Sequence, residues 1–184
     1  MRFSNLITLA LTGLVAADLA TIQGEFTKIQ AAVTNLDNSI NGLTSSTDPT
    51  TAINTLVSQS NAVTDALNSG TTTVSATDDL SLTDSITLLS SSNSLVSAVN
   101  TTVTDLENKK SIVDAANADG TVVTQLQQQK TASQAFIAAV VSKVPSAAQS
   151  IANNQAQAVV TDLNNGIVFF GGSASKRAAR ALRV

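Results

Sequence analysis

At 184 residues the chain has the length of one domain and can bury a core without covalent staples. It carries 10 Lys and Arg against 13 Asp and Glu, for a net charge of -3, and is 43% hydrophobic but only 3% aromatic. It holds no His and no Cys, which removes Ser-His-Asp and Cys-His catalysis, zinc ligation by those residues and thiol redox chemistry, and its acidic balance argues against nucleic acid as a partner.

Residues 1–17 have the form of a secretory signal peptide. Arg2 supplies the charge, Leu6 to Val15 the apolar run, and Val15-Ala16-Ala17 the small-residue cleavage pattern, so that a secreted chain would begin at Asp18. The run falls short of the ~20 apolar residues that a membrane span requires. From Leu19 the apolar residues fall at Ile22, Phe26, Ile29, Val33, Leu36, Ile40 and Leu43, in steps of three and four, which places them on one face of a helix roughly 37 Å long. Such a helix needs partners to cover that face.

Gly42 to Thr47 reads as a turn, and Asp48-Pro49 as the capped start of a second helix. Ile53, Leu56, Val57, Val63 and Leu67 form its apolar face, Asn68-Ser69-Gly70 its end, and Thr71 to Thr77 a linker. A third helix begins near the capping box Ser81-Leu-Thr-Asp84 and carries Leu82, Ile86, Leu89, Val96, Val99, Val103 and Leu106. Past Lys109 and Lys110 the pattern thins, and Asn117 to Gly120 is the next break. A fourth helix carries Val123, Leu126, Phe136, Ile137, Val140 and Val144 up to Pro145. The fifth turns Ala148, Ile151, Gln155, Val159 and Leu163 inward, and Asn164-Asn165-Gly166 weakens or ends it before the apolar run Ile167 to Phe170. Residues 171–184 form a flexible basic tail, in which Lys176-Arg177 is either a dibasic processing site or part of a solvated stretch. A lipid-anchor signal needs a hydrophobic tail, and this one is basic.

The expected fold is all-α, an up-and-down bundle of five long amphipathic helices over residues 18–170. Charged residues make up only 12% of the chain, so hydroxyls and amides must cover the solvated faces. Apolar stripes of this kind ordinarily form core. Here the side chains are small and aromatics scarce, which leaves room for an apolar central cavity able to take an acyl chain. Its lining would draw on Phe26, Ile29, Val33 and Leu36 of the first helix, Ile86 and Leu89 of the third, Phe136 and Val140 of the fourth, and Ile151 and Val159 of the fifth. Lys109, Lys110 and Lys130 are either partners for a ligand carboxylate or solvated lysines. Asn100-Thr-Thr102 is an N-glycosylation sequon.

A signal peptide followed by Ser/Thr/Ala-rich helices without Cys or His, with Ile29-Gln-Ala-Ala-Val33 and Leu36-Asp-Asn-Ser-Ile40 at the centre of the first, resembles the fungal hydrophobic surface binding protein A family, which overlaps the cell wall galactomannoproteins. The resemblance implies a secreted or wall-associated helical protein without catalysis, cofactor or metal. It also implies adsorption to hydrophobic surfaces, enclosure of fatty acids or other lipids between helices, and recruitment of a secreted polyester hydrolase. The alternative is a structural cell wall mannoprotein, associated with wall polysaccharide, whose apolar faces serve only its fold.

Overall fold

A computed structural model describes residues 4–44 and 46–171, with side-chain surroundings from residue 18 onward. The basic tail with Lys176-Arg177 lies outside the described residues. Six helices make up the described residues: α1 (Ser4–Asn41), α2 (Pro49–Ser75), α3 (Leu82–Asn108), the short α4 (Lys110–Ala115), α5 (Asp119–Lys143) and α6 (Ser146–Phe169). The backbone of the expected signal peptide continues α1 from Ser4. No helix among the described residues is long and apolar enough to cross a membrane.

The first helix follows its stripe. Ile22, Phe26, Ile29, Val33, Leu36, Ile40 and Leu43 are buried, and Leu19 packs partly against them. At the start of α2, Asp48 accepts from the Thr51 amide at 2.8 Å, and Pro49 occupies the first turn, as the Asp-Pro pair implies. Ser81 begins α3 by accepting from the Asp84 amide at 3.1 Å and donating to Asp84 Oδ2 at 2.6 Å.

Two expected stops are helix interior. α2 runs through Gly70 to Ser75 rather than ending there. The hydroxyls of Thr71, Thr72, Thr73 and Ser75 donate to the carbonyls four residues earlier, so the stretch expected as a linker satisfies its own polar groups within the helix. Gly70 is where the Phe136 ring comes in: a Cβ there would stand 3.0 Å from Phe136 Cε2. Likewise α6 continues through Asn164-Asn165-Gly166, because Gly166 admits Val103 and Leu126, which would stand 3.1 and 3.2 Å from an added Cβ. Ile167 and Phe170 are buried at its end. The true break before α5 carries Asn117 at a φ of 53°, a left-handed conformation that Asn tolerates.

The five long helices close into a ring. α1 packs on α2 and α3, α2 on α5, α5 on α6, and α6 back on α3. Sequence neighbours α2 and α3 are not neighbours in this ring, so residues 76–81 cross its lower end. They are held there by the Leu80 amide donating to the Lys143 carbonyl at 2.8 Å and Lys143 Nζ donating to the Thr77 carbonyl at 2.6 Å. The α3 to α5 connection carries α4 across the upper end, with Val113 fully buried beneath it. The apolar interior is thereby crossed at both ends.

Candidate functional site

Two pockets lie between the helices, one above the other, and both are walled by α1, α2, α3, α5 and α6. The upper pocket is lined by Ile29, Val33, Leu36 and Ile40 of α1, Ile53 to Leu67 of α2, Leu95 to Leu106 of α3, Val122 and Leu126 of α5, and Val159 and Leu163 of α6. The lower is lined by Phe26, Leu88, Leu89, Val96, Phe136, Ile137, Val140, Val144 and the alanines 148, 152 and 156. Leu67, Leu95, Ser133 and Val159 belong to both and form a waist between them. Each pocket holds about 70 Å³ of open space, several times the roughly 10–15 Å³ that one water needs. Along α5 the lining extends from Thr121 to Val144, a span of roughly 35 Å.

Immediately below the waist, in the wall of the lower pocket, Phe26 and Phe136 meet edge to face, with centroids 5.2 Å apart and planes at 63°. The absence of a side chain at Gly70 lets Phe136 sit in this position. The polar groups that line the two pockets are uncharged; the buried carboxylate of Glu25, 4% exposed, lies outside both linings and pairs with Lys28 at 2.8 Å. Gln129 Nε2 donates to Ser60 Oγ at 2.7 Å, with both residues buried, and one turn earlier Gln125 Oε1 is buried without a hydrogen-bond partner. Thr102 and Ser133 also face the upper pocket; Ser85, Ser92 and Gln155 face the lower.

Eight of the ten residues expected to line a cavity do line these pockets: Phe26, Ile29, Val33, Leu36, Leu89, Phe136, Val140 and Val159. Ile86 and Ile151 do not; they are 60% and 52% exposed. The inner face of α3 runs instead through Ser85, Leu88, Ser92 and Leu95, two of them serines. A pattern of apolar residues alone picks the adjacent phase, Leu82 and Ile86, because it passes over those hydroxyls. On α6 the inward role falls to alanines on either side of Ile151.

The three lysines have other tasks. Lys109 Nζ donates to the carbonyls of Asn41 at 3.2 Å and Leu43 at 2.9 Å, closing the C-terminal end of α1. Lys110 pairs with Asp114 and with Asp119, the latter at 3.0 Å, and sits 5.6 Å from the centroid of the Phe170 ring. Its bond to Asp114 raises the lysine pKa and lowers that of the carboxyl. Lys130 Nζ donates to Asn164 Oδ1 at 2.8 Å, tying α5 to α6. None of the three lines either pocket.

Beside Lys109, Asn41 Nδ2 bridges Asp37 Oδ2 at 3.2 Å and Asp105 Oδ2 at 2.9 Å, joining α1 to α3. Partial burial, and then the negative charge of Asp105, push the Asp37 carboxyl above its ordinary value. Asn100 is exposed on α3, whereas Thr102 of its sequon is buried. No cluster of Asp or Glu suited to a metal ion occurs among the described residues.

A ring of amphipathic helices around paired apolar pockets defines a helical bundle whose interior, rather than a polar cleft, is its distinctive chemistry. The chain belongs to the hydrophobic surface binding protein A family, whose profile matches residues 19–142, from α1 to the end of α5. It is 32% identical over 181 residues to cell wall mannoprotein 1 of Aspergillus fumigatus, covering 95% of this chain and 62% of that protein. It is 31% identical over 176 residues to cell wall mannoprotein 1 of Aspergillus flavus, covering 91% and again 62%. The chain thus spans 62% of the length of these relatives.

Among solved structures, ligand binding domain 1 of the Penicillium marneffei MP1 protein, complexed with arachidonic acids, matches with a TM-score of 0.78 at 26% identity over 84% of this chain and 99% of that one. Ligand binding domain 2 of the same protein, complexed with multiple arachidonic acids, matches at 0.77 and 21% identity over 84% and 96%. AFMP4P in complex with palmitic acid matches at 0.77 and 20% identity over 83% and 99%; at these lower identities the likeness establishes the fold.

Proposed function

We propose that this is a non-enzymatic, extracellular or wall-associated protein that takes the acyl chains of fatty acids into the two stacked pockets and adsorbs to hydrophobic surfaces. The observation that carries this reading is the interior itself: two stacked apolar linings that together span roughly 35 Å, drawn from all five long helices, with uncharged hydrogen-bonding groups in the upper one. The relatives support it, since similar domains are complexed with arachidonic and palmitic acids and the family is named for binding hydrophobic surfaces.

In this reading the carboxyl group meets the amide and hydroxyl set of Gln125, Gln129 and Ser60. No charged side chain lines either pocket, so a carboxyl drawn fully inside is favoured in its protonated form, donating its O–H to Gln125 Oε1 and accepting from an amide N–H. Affinity then rises as pH falls. Residues 1–17 direct secretion, an N-glycan occupies the exposed Asn100, and the adsorbed protein recruits a secreted polyester hydrolase to a hydrophobic substrate. The reading of the chain as a wall component draws support from its two mannoprotein relatives, and the two roles are compatible in one protein.

Calorimetric titration with palmitate tests the pocket. Val63→Phe, which fills the upper pocket from α2, is expected to reduce stoichiometry or abolish binding while helicity is retained. Gln129→Leu is expected to weaken binding about tenfold through loss of one buried hydrogen bond to the carboxyl. Unchanged titrations for both variants would contradict the assignment.

A further inference from the structure

The ring is crossed at its lower end by residues 76–81 and at its upper end by α4, so an acyl chain must pass between two helices to reach the interior. The seam between α3 and α6 stands apart from the others. These helices run parallel with a constant offset: Gln155 Nε2 donates to Asn93 Oδ1, Ser92 faces the same Gln155, and Val103 meets Gly166. One turn below Gln155 is Ile151; one and two turns below Asn93 are Leu89 and Ile86. Helical register therefore brings Ile86 and Ile151 to neighbouring levels on this seam, with Leu82 a further turn down α3. Their exposures are 60%, 52% and 50%. Directly inside lie Leu88, Leu89, Ala148 and Ala152 of the lower pocket.

Charge is absent along the seam itself: from Ser85 to Thr104 α3 has no charged residue, and neither does the chain from Val144 to Thr161, while Asp78, Asp79 and Asp84 stand at its lower end around Leu82. From Ile86 and Ile151 upward the seam therefore matches an uncharged apolar surface, and the only charges at its lower end are carboxylates, which an anionic surface would repel.

We propose that the lower α3/α6 seam, carrying Leu82, Ile86 and Ile151, is the face that lies against an uncharged acyl-chain surface and passes single chains between that surface and the lower pocket. The transfer rests on the pocket reading above; the docking face does not. Opening the seam requires parting small alanine side chains of α6 and the amide contacts of Gln155, with no ion pair among the described residues to break there.

The test uses triolein droplets coated with neutral phosphatidylcholine, loaded with labelled palmitate, and the full secreted chain. An Ile86→Asp/Ile151→Asp double variant is expected to keep its helicity and its palmitate binding from solution. Its partition onto droplets and its rate of chain uptake should each fall about tenfold or more. Val168→Asp, at a site 52% exposed toward the opposite end of α6, is expected to behave as wild type, and 1 M salt is expected to leave wild-type adsorption intact. Wild-type droplet behaviour in the double variant, with palmitate binding intact, overturns the docking face alone. An equal loss in Val168→Asp, or a wild-type dimer that the double variant dissolves into monomers, also overturns it, the latter by assigning the patch to a second copy. Failure of the wild type to take up palmitate from any source overturns the pocket reading and the transfer step, whatever the droplets show.

Discussion

The upper and lower halves of the ring enclose similar pockets but hold them differently. Above, side-chain bonds lock the helices to one another: Asn41 joins Asp37 to Asp105, Lys109 covers the end of α1, Lys130 ties α5 to α6, and Lys110 anchors α4 against Asp119 and Phe170. Below, the α3/α6 seam has amides, alanines and exposed isoleucines in place of charge. The contrast is specific to the α3/α6 seam, because elsewhere in the lower half Lys143 Nζ holds the Thr77 carbonyl and Lys28 pairs with the buried Glu25. Phe26 and Phe136 stand at the boundary between the halves and are expected to respond most strongly to change.

The largest effect belongs to that boundary. Phe136→Ala removes a buried ring wedged between Gly70 and Phe26, with an expected loss of about 3–5 kcal/mol in urea unfolding, and it merges the two pockets by widening the waist. A loss below about 1 kcal/mol would show that the waist is loosely packed and the division between halves nominal.

Smaller, and of opposite sign, are the two buried glycines. Either Gly→Ala change brings a helix-propensity gain of about 1 kcal/mol. At Gly70 the new Cβ meets the Phe136 ring, which Phe26 holds from the other side, so overpacking is expected to outweigh that gain and leave a net loss of about 1 kcal/mol. At Gly166 it meets the tips of Val103 and Leu126, which can yield into the upper pocket; a net gain of up to about 1 kcal/mol is expected, with reduced palmitate uptake. Equal signs for the two variants would erase the contrast between a rigid waist and a yielding pocket.

The smallest effect is electrostatic and confined to the upper half. Because the fold raises the Asp37 carboxyl above 3.8, its contribution to stability is fully present below that value and is lost as pH rises through the raised one. Asp37→Asn is therefore expected to match wild type in strong acid and to melt at a higher temperature once the pH has risen through that window. Asp48 behaves oppositely: the Thr51 amide lowers its pKa, so its contribution is present above 3.8 and fades as pH falls through the lowered value.

Much of this architecture is legible in the chain, and the exceptions share a cause. The stripe of α1 is apolar at every buried position except Glu25, so periodicity and burial agree from Leu19 to Leu43 apart from that one carboxylate. On α3 they part, because Ser85 is buried, Ser92 faces the pocket, and Leu88-Leu89 supports two phases equally well. Gly70 and Gly166 look like helix ends until Phe136, Val103 and Leu126 are seen against them, contacts between residues far apart in sequence. The stacking of two pockets could not be read either. It depends on the ring order α1, α2, α5, α6, α3, which the local pattern of each helix leaves open. Gln125 and Gln129 add amide groups to the upper pocket because a ring of small side chains leaves room for them there.

Whether the interior accommodates acyl chains is decided by native mass spectrometry of the protein mixed with palmitic acid. Discrete increments of one or more palmitates per chain are expected, stronger at acid pH and lost in Val63→Phe. A spectrum showing only the unliganded chain at every pH, with lipid extraction recovering no fatty acid, would contradict the acyl-chain reading and leave the pockets as imperfectly filled core.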